Sequence, residues 1–178
     1  MTDGTALREI AAEILTEILE KGQYTHLALF QALSKYQYLE KSDRSFLKRI
    51  VDGTVEYKIQ IDYIINAYSK TKVHKMKPFI RTLLRMSVYQ IYYMDRVPDS
   101  AACNEAVRLA KKRGFSGLSG FVNGVLRSVT RGKGKLTFPD DSVRYSMPDW
   151  ILSLWKENYG AETTHRMAQA GLEKRPFM

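Results

Sequence analysis

Apolar residues recur along this chain at the three-to-four-residue spacing of amphipathic helices, almost from end to end. The first stretch shows the spacing i, i+3, i+4, i+7 until Gly22 ends the run, and its apolar positions are Leu7, Ile10, Ala11, Ile14, Leu15, Ile18 and Leu19. No segment alternates apolar and polar residues over the length of a strand. We therefore predict an all-α fold without a sheet.

The same periodicity predicts three more helices before residue 70. Residues 24–36 are expected to form a helix whose inward side chains are Leu27, Phe30, Ala32 and Leu33. The next helix has Ser42 or Asp43 as its candidate N-cap, because short polar side chains satisfy the first free backbone N–H groups. A separate helix is expected after a bend, from Ile59 to Tyr68.

The middle of the chain predicts the central helix and its two neighbours. Pro78 marks a helix start, and the helix that follows is apolar on almost every side, so it should lie at the centre of a bundle. The next helix is expected to begin at a cap formed by Asp99 or Ser100 and to run to Arg113. A last apolar stripe comprises Leu118, Phe121, Val122, Val125, Leu126 and Val129.

Two glycines stand one helical turn apart in that last stripe, at Gly120 and Gly124. Each costs a helix about 1 kcal/mol relative to alanine. We expect them to let another backbone approach closely, and a second helix is a more common neighbour than a phosphate. We also expect Asn123 to hydrogen-bond a neighbouring backbone group, and we favour this structural role over an RNA contact.

The composition of the chain shifts at Arg131. Glycine, proline and paired acids in RGKGKLTFPDDSVRYS predict a linker. Two short helices are expected after it, in MPDWILSLWKENYG, with Pro148 in its first turn, and in AETTHRMAQAGLE. We therefore predict one helical domain over residues 1–131, followed over residues 132–178 by a linker and the start of a further segment.

Charge adds a class of partner to this picture. The 28 basic and 19 acidic residues give a net charge of +9, which favours an anionic partner, with nucleic acid ahead of a membrane surface. Many of the cations lie in two acid-free windows, one between Asp62 and Asp95 and one between Glu105 and Asp140. The first helix is acidic instead, so we expect a basic side that faces away from an acidic one.

From these windows we predict an RNA-binding surface that contacts phosphates and so gives affinity more than sequence choice. Its candidate residues are Lys72, Lys75, Lys77, Arg81, Lys111, Lys112, Arg113, Arg127, Arg131, Lys133 and Lys135. The alternative is that these side chains only solvate helix faces. Most of the 11 tyrosines stand at stripe positions, where core packing is favoured over base stacking.

The sequence shows no catalytic constellation. Its three histidines lack ligand spacing and Cys103 is the only cysteine, so we predict no metal site, no disulfide and a plain buried thiol. GFSGLSG follows no predicted strand and is therefore no phosphate cradle. The apolar run over residues 79–94 is interrupted by Arg81 and Arg85 and is too short to span a membrane. A cytoplasmic protein is expected.

Two segments, PDSAACNEAVRLAK and SGFVNGVLRSVTR, resemble the paired signature of the NusB-like fold. LLRMSVYQIYYM resembles the helix before them, and Arg8 with Ala11 resembles the pattern of the first helix. The resemblance implies an all-α NusB-like bundle. Two branches share that fold: the stand-alone antitermination factors, and the N-terminal domain of the RsmB/Sun (Fmu) family of 16S rRNA cytosine-C5 methyltransferases.

The chain resembles the methyltransferase branch more closely. Arg127 stands after Leu126 where the antitermination branch usually has an acid, and Tyr89-Gln90 matches a pair of the methyltransferases. The C-terminal part resembles their linker helices and an Arg-Pro-Pro segment, which here reads Arg-Pro-Phe at 175–177. Glu56 departs from the family, which often has arginine there, and this weakens an RNA role for that turn.

The methyltransferase resemblance implies an auxiliary domain that positions small-subunit rRNA for a catalytic domain. That catalytic domain would bind S-adenosylmethionine and use two cysteines, and neither its cysteine motifs nor its glycine loop is in these 178 residues. We therefore expect this chain alone to hold no cofactor and to be inactive. Trp150 and Trp155 are expected to pack against the catalytic domain. Two alternatives stay open: a stand-alone antitermination factor, and a protein–protein docking module.

Overall fold

A computed structural model of the chain describes residues 3–172, which form α-helices and two short 3₁₀ turns and contain no strand. The helices are α1 (Gly4–Leu19), α2 (Thr25–Lys35), α3 (Lys41–Glu56), α4 (Lys58–Tyr68), α5 (Pro78–Tyr93), α6 (Asp99–Lys112), α7 (Ser119–Gly132), α8 (Asp141–Tyr145), α9 (Asp149–Tyr159) and α10 (Ala161–Leu172). The 3₁₀ turns are Val73–Lys75 and Ser116–Leu118. The all-α prediction is confirmed.

Helix α5 is the centre of the bundle, as its composition predicts. It contacts α1, α3, α4, α6 and α7, and Leu83, Leu84 and Val88 on it are fully buried. Pro78 occupies the first turn of α5, where its missing N–H is not needed. The stripes of α1 and α7 also lie in this core, so the periodicity correctly identified the inward faces of these helices.

Helix α2 buries only part of the predicted face: Ala32 and Leu33 pack against the core as expected, but Leu27 and Phe30 do not. Leu27 and Phe30 were expected to point inward, but they are 40% and 69% exposed, whereas Ala28 and Leu29 are buried. The four residues are consecutive and all apolar, so their periodicity does not determine which face meets the core. The contact of α2 with α1 and α3 makes that choice.

The predicted N-caps are also wrong. Helix α3 begins at Lys41, so Ser42 and Asp43 lie inside its first turn, and α6 begins at Asp99 directly after Pro98. Neither helix has a side-chain cap. Capping residues favour the first turn as well as the cap itself, and the sequence alone separates the two positions poorly.

The glycines of α7 do not admit a neighbouring helix, which corrects the expectation for Gly120 and Gly124. Both are exposed, and a Cβ built at either position meets no atom within 4 Å. The close approaches occur at Gly53 and Gly132, where a Cβ would overlap the rings of Tyr89 and Tyr68 respectively. The crowded glycines therefore face tyrosine side chains rather than another helix backbone.

The segment expected to be a linker contains helix α8. The carboxylate of Asp140 caps it by accepting from the backbone N–H of Val143 at 2.9 Å. The side-chain amide of Gln60 in α4 donates to the carbonyls of Val143 and Arg144 at 3.3 and 3.1 Å, so α8 is fixed to the bundle. Helices α9 and α10 pack with α8 around a small cluster that contains Leu152. The Arg-Pro-Phe segment at 175–177 lies outside the described residues.

Candidate nucleic-acid interface

The fold brings the two basic windows together at two places. At one, the rings of Phe79 and Phe115 stack with centroids 5.7 Å apart, and the Arg113 guanidinium lies 5.6 Å from the Phe79 centroid. At the other, the Tyr68 hydroxyl donates to the carbonyl of Gly132 at 3.3 Å. The start of α5 thus meets the end of α6, and the end of α4 meets the end of α7.

The acidic helix α1 does not face away from the windows, contrary to the prediction. Glu20 accepts from Nε of Arg81 at 2.6 Å and also from its Nη2, and one of its oxygens lies 3.8 Å from Arg85. Arg85 is buried and donates to Asp62 at 2.7 and 3.0 Å. Hydrogen bonding by Arg81 lowers the pKa of Glu20. The guanidinium of Arg81, a candidate RNA contact, is therefore engaged by an internal carboxylate.

Two further candidates are paired in the same way at the end of α6. Lys112 donates to Glu9 at 2.5 Å, and Arg113 donates to Glu9 at 3.1 Å and to Glu13 at 2.5 Å. The hydrogen bond from Lys112 lowers the pKa of Glu9. Helix α1 packs against both α5 and α6, which places its acidic positions beside the cations of those helices.

The other candidates keep a surplus of positive charge. Within residues 3–172, no carboxylate pairs with the exposed side chains of Lys72, Lys75, Lys77, Lys111 and Lys135. Arg131 donates to the Ser128 hydroxyl at 3.2 Å, and Lys133 lies 3.7 Å from Asp99. Lys70 belongs to the same unpaired group, although the sequence did not single it out as a candidate.

Arg127 connects the segment PDSAACNEAVRLAK of α6 with the segment SGFVNGVLRSVTR of α7. Its Nη2 donates to Oδ1 of Asn104 at 3.1 Å and its Nε to Oδ1 of Asn123 at 3.3 Å. The partner of Asn123 is therefore a side chain rather than the expected backbone group. Glu105, next to Asn104, accepts from the Thr5 hydroxyl and so connects α6 to α1. These motif residues hold neighbouring helices together.

Arg8, which belongs to the family pattern of the first helix, is buried between helices of the bundle. Its Nε donates to Gln90 at 2.8 Å, and its guanidinium lies 5.2 Å from the Phe46 centroid. Burial lowers the pKa of Arg8, while the nearby Glu105 acts in the opposite direction. The pair Arg8–Gln90 connects α1 to the central helix, so these two motif positions are explained by packing rather than by ligand contact.

Residues 3–172 show neither a metal site nor a membrane span. That part of the chain holds no group of three or more metal-ligating side chains, and none of its helices is long and apolar enough to cross a bilayer. Cys103 is free and buried. The residue that sequence reasoning missed is Gln60, because a single glutamine in a helix carries no signal until the partner helix is in place.

The sequence of the chain is similar to those of known proteins of two kinds. A probable ribosomal RNA small subunit methyltransferase B from Bacillus subtilis (strain 168) is 37% identical over 174 residues, which cover 94% of this chain but only 38% of that protein. The transcription antitermination protein NusB from Symbiobacterium thermophilum is 35% identical over 144 residues, which cover 76% of this chain and 94% of that protein.

A solved structure shows the same fold. The structure of antitermination factors NusB and NusE in complex with double-stranded RNA matches with a TM-score of 0.66 at 21% identity, over 72% of this chain and 96% of that chain. The NusB family profile matches residues 5–131, which run from the first turn of α1 to the end of α7. On this evidence the chain belongs to the NusB family.

Proposed function

We propose that this chain is an RNA-binding domain that positions small-subunit rRNA for cytosine-C5 methylation by a catalytic domain. The observation that carries the proposal is the surplus of unpaired cations at the ends of α4, α6 and α7, after α1 has neutralised the others. Unpaired Lys and Arg side chains are the usual means of holding nucleic-acid phosphates. The solved NusB–RNA complex and the rRNA methyltransferase relative support the same class of ligand.

The C-terminal helices support the methyltransferase assignment. The chain spans less than two fifths of the length of the B. subtilis relative, and its similarity to that protein covers 94% of the chain. On α9, Trp150 and Leu154 lie one turn apart and are 68% and 47% exposed, so they form an exposed apolar face on one side of this short helix. We propose that this face packs against the catalytic domain. S-adenosylmethionine and the methyl transfer would belong to that domain.

Binding of the 178-residue chain to small-subunit rRNA, at several salt concentrations, tests the proposal. We expect stronger binding to small-subunit rRNA than to large-subunit rRNA fragments of equal length, with affinity that falls steeply as salt rises. Substituting Lys72, Lys75 and Lys77 by alanine should weaken binding. The matched control replaces Lys21, Lys35 and Lys41 by alanine. These lysines lie outside the windows, and their replacement removes the same amount of charge.

Each alternative gives a different result. A protein–protein docking module would bind RNA weakly, or its RNA affinity would fall equally in the Lys72/Lys75/Lys77 variant and in the control variant. An antitermination factor would bind a transcript leader in preference to small-subunit rRNA. The full-length match to the Symbiobacterium protein is the observation that favours this second candidate.

A further inference from the structure

A shallow cleft of about 390 Å³, largely open to solvent, lies between the ends of α4 and α7 and is lined by Tyr68, Ser128, Arg131, Gly132 and Lys135. The half-buried Tyr68 side chain crosses to α7, where its hydroxyl donates to the Gly132 carbonyl. A Cβ at position 132 would overlap the tyrosine ring, so glycine is the residue that permits this crossing. The crossing brings the last turn of α4 against the last turn of α7.

The polar side chains of this cleft are mostly hydrogen-bond donors. Arg131 uses one N–H to donate to the Ser128 hydroxyl, which leaves the other guanidinium hydrogens and the hydroxyl hydrogen of Ser128 for a ligand. The Lys135 ammonium adds three donors. No carboxylate lines the cleft. A phosphate, which is anionic and rich in acceptor oxygens, would match these donors.

Another cleft, of about 420 Å³, differs in how its cations are paired. Its lining includes Arg81 and Arg85, but also Glu20 and Asp62, which already accept hydrogen bonds from both guanidinium groups. That cleft has an internal counter-charge for its cations. The cleft between α4 and α7 has none among its lining residues.

The cations of the α4–α7 cleft exceed what the two helix ends require. Both helices end there, and each C-terminus carries about half a unit of negative partial charge that nearby cations stabilise. Arg131 and Lys135 line the cleft, and their two positive charges exceed the partial charge of about one unit at the two helix ends.

We infer that the α4–α7 cleft binds a backbone phosphate of the RNA strand, held by Arg131 and Lys135 with the Ser128 hydroxyl as a third donor. The inference rests on the proposed RNA-binding function and assigns one contact point within it. It also accounts for the position of Gly132, because the tyrosine crossing that this glycine permits forms one wall of the cleft.

The test is RNA binding by the Arg131→Ala/Lys135→Ala variant of the full chain, measured at several salt concentrations. Binding at about 0.1 M salt should weaken roughly tenfold or more, and the slope of log K against log salt should become shallower by about 0.7 to 0.9, the change expected for one lost phosphate contact. The control Lys21→Ala/Lys35→Ala loses the same charge outside the cleft and should keep the wild-type slope.

Arg131→Lys provides a second variant should the double variant fail to fold. It keeps the charge but loses the planar fork, so it should weaken binding several-fold with little change in slope. Wild-type affinity and slope in the folded double variant, or wild-type affinity in Arg131→Lys, would overturn the cleft inference while leaving the proposed function intact. Failure of the wild-type chain to bind RNA would overturn both.

Discussion

Arg85 of α5 is bound by Asp62 of α4 through two parallel hydrogen bonds, from Nε at 2.7 Å and from Nη2 at 3.0 Å. The arginine side chain is only 7% exposed, so its charge depends mainly on this carboxylate, while Glu20 lies farther away at 3.8 Å. Asp62 also lies 3.3 Å from Lys58, but that lysine is 39% exposed and has solvent to hydrate it. The pair therefore fixes the orientation of α4 against the central helix.

Replacing Asp62 by alanine should lower the free energy of unfolding by about 3 kcal/mol, because a buried guanidinium is left without its carboxylate. Urea unfolding followed by circular dichroism measures the change. The control Lys58→Ala removes an exposed pair to the same carboxylate and should cost no more than about 0.5 kcal/mol. Equal small losses in both variants would show that Arg85 finds sufficient compensation elsewhere.

The glycines give opposite predictions for one kind of substitution. Gly124→Ala should raise the free energy of unfolding by up to about 1 kcal/mol, because the position is helical and the added methyl group meets open space. Gly53→Ala should lower it by about 1 to 3 kcal/mol, because the methyl group overlaps the ring of Tyr89. Thermal or urea unfolding distinguishes the two signs.

The cause of the Gly53 effect can be isolated in a double-mutant cycle. In a Tyr89→Leu background the overlapping ring is gone, so Gly53→Ala should cost less there than in the wild type. The same cost in both backgrounds would place the strain outside the Gly53–Tyr89 contact.

Gln60 should control how firmly α8 is held. Gln60→Ala removes the donors to the Val143 and Arg144 carbonyls and the acceptor of the Tyr93 hydroxyl, which leaves buried polar groups unpaired at a cost of about 1 to 3 kcal/mol. Hydrogen exchange should become faster in α8 while that of α5 changes less. Gln31→Ala, an exposed amide on α2, is the control and should leave exchange in α8 unchanged.

Stability should fall in acid through Glu20. Its pKa in the folded state lies below the ordinary value of 4.5 because Arg81 donates to it, so the unfolded chain takes up the proton first as the pH falls. The contribution of Glu20 is therefore complete above about pH 4.5 and is lost below it, as the pH passes through the lower folded pKa. Urea midpoints at pH 7 and pH 3 should differ less in Glu20→Gln than in the wild type. Glu157→Gln, on exposed α9, should keep the wild-type difference.

Periodicity predicted the bundle well where one face of a helix is apolar and the other is not, as in α1 and α7. It failed in α2, where Leu27 and Phe30 belong to an unbroken apolar run and only the contact with α1 and α3 selects the buried face. It also missed α8, because five residues are too few to show a helical period and the helix depends on Gln60, more than 80 residues away.

The two basic windows could be found from the sequence, but their division into paired and unpaired cations could not. Whether Lys112 or Lys111 meets an acid depends on which side of α6 faces Glu9 of α1. Such long-range neighbours follow from helix packing rather than from spacing along the chain. The same limit applies to the α4–α7 cleft, whose two sides come from segments more than 60 residues apart.

The hydrogen bonds from Gln60 that help to hold α8 against α4 also bear on the position of α9, which follows α8 in the chain. Helix α9 extends about 16 Å from its start, so a tilt of about 10° at the Gln60 contact would move its far end by about 3 Å. A displacement of that size exceeds what a reacting atom tolerates in a catalytic site. The orientation of the apolar face on α9 therefore depends on the contact between Gln60 and α8, which is distant from that face. How precisely a partner domain bound to α9 is positioned depends on how rigid that contact is.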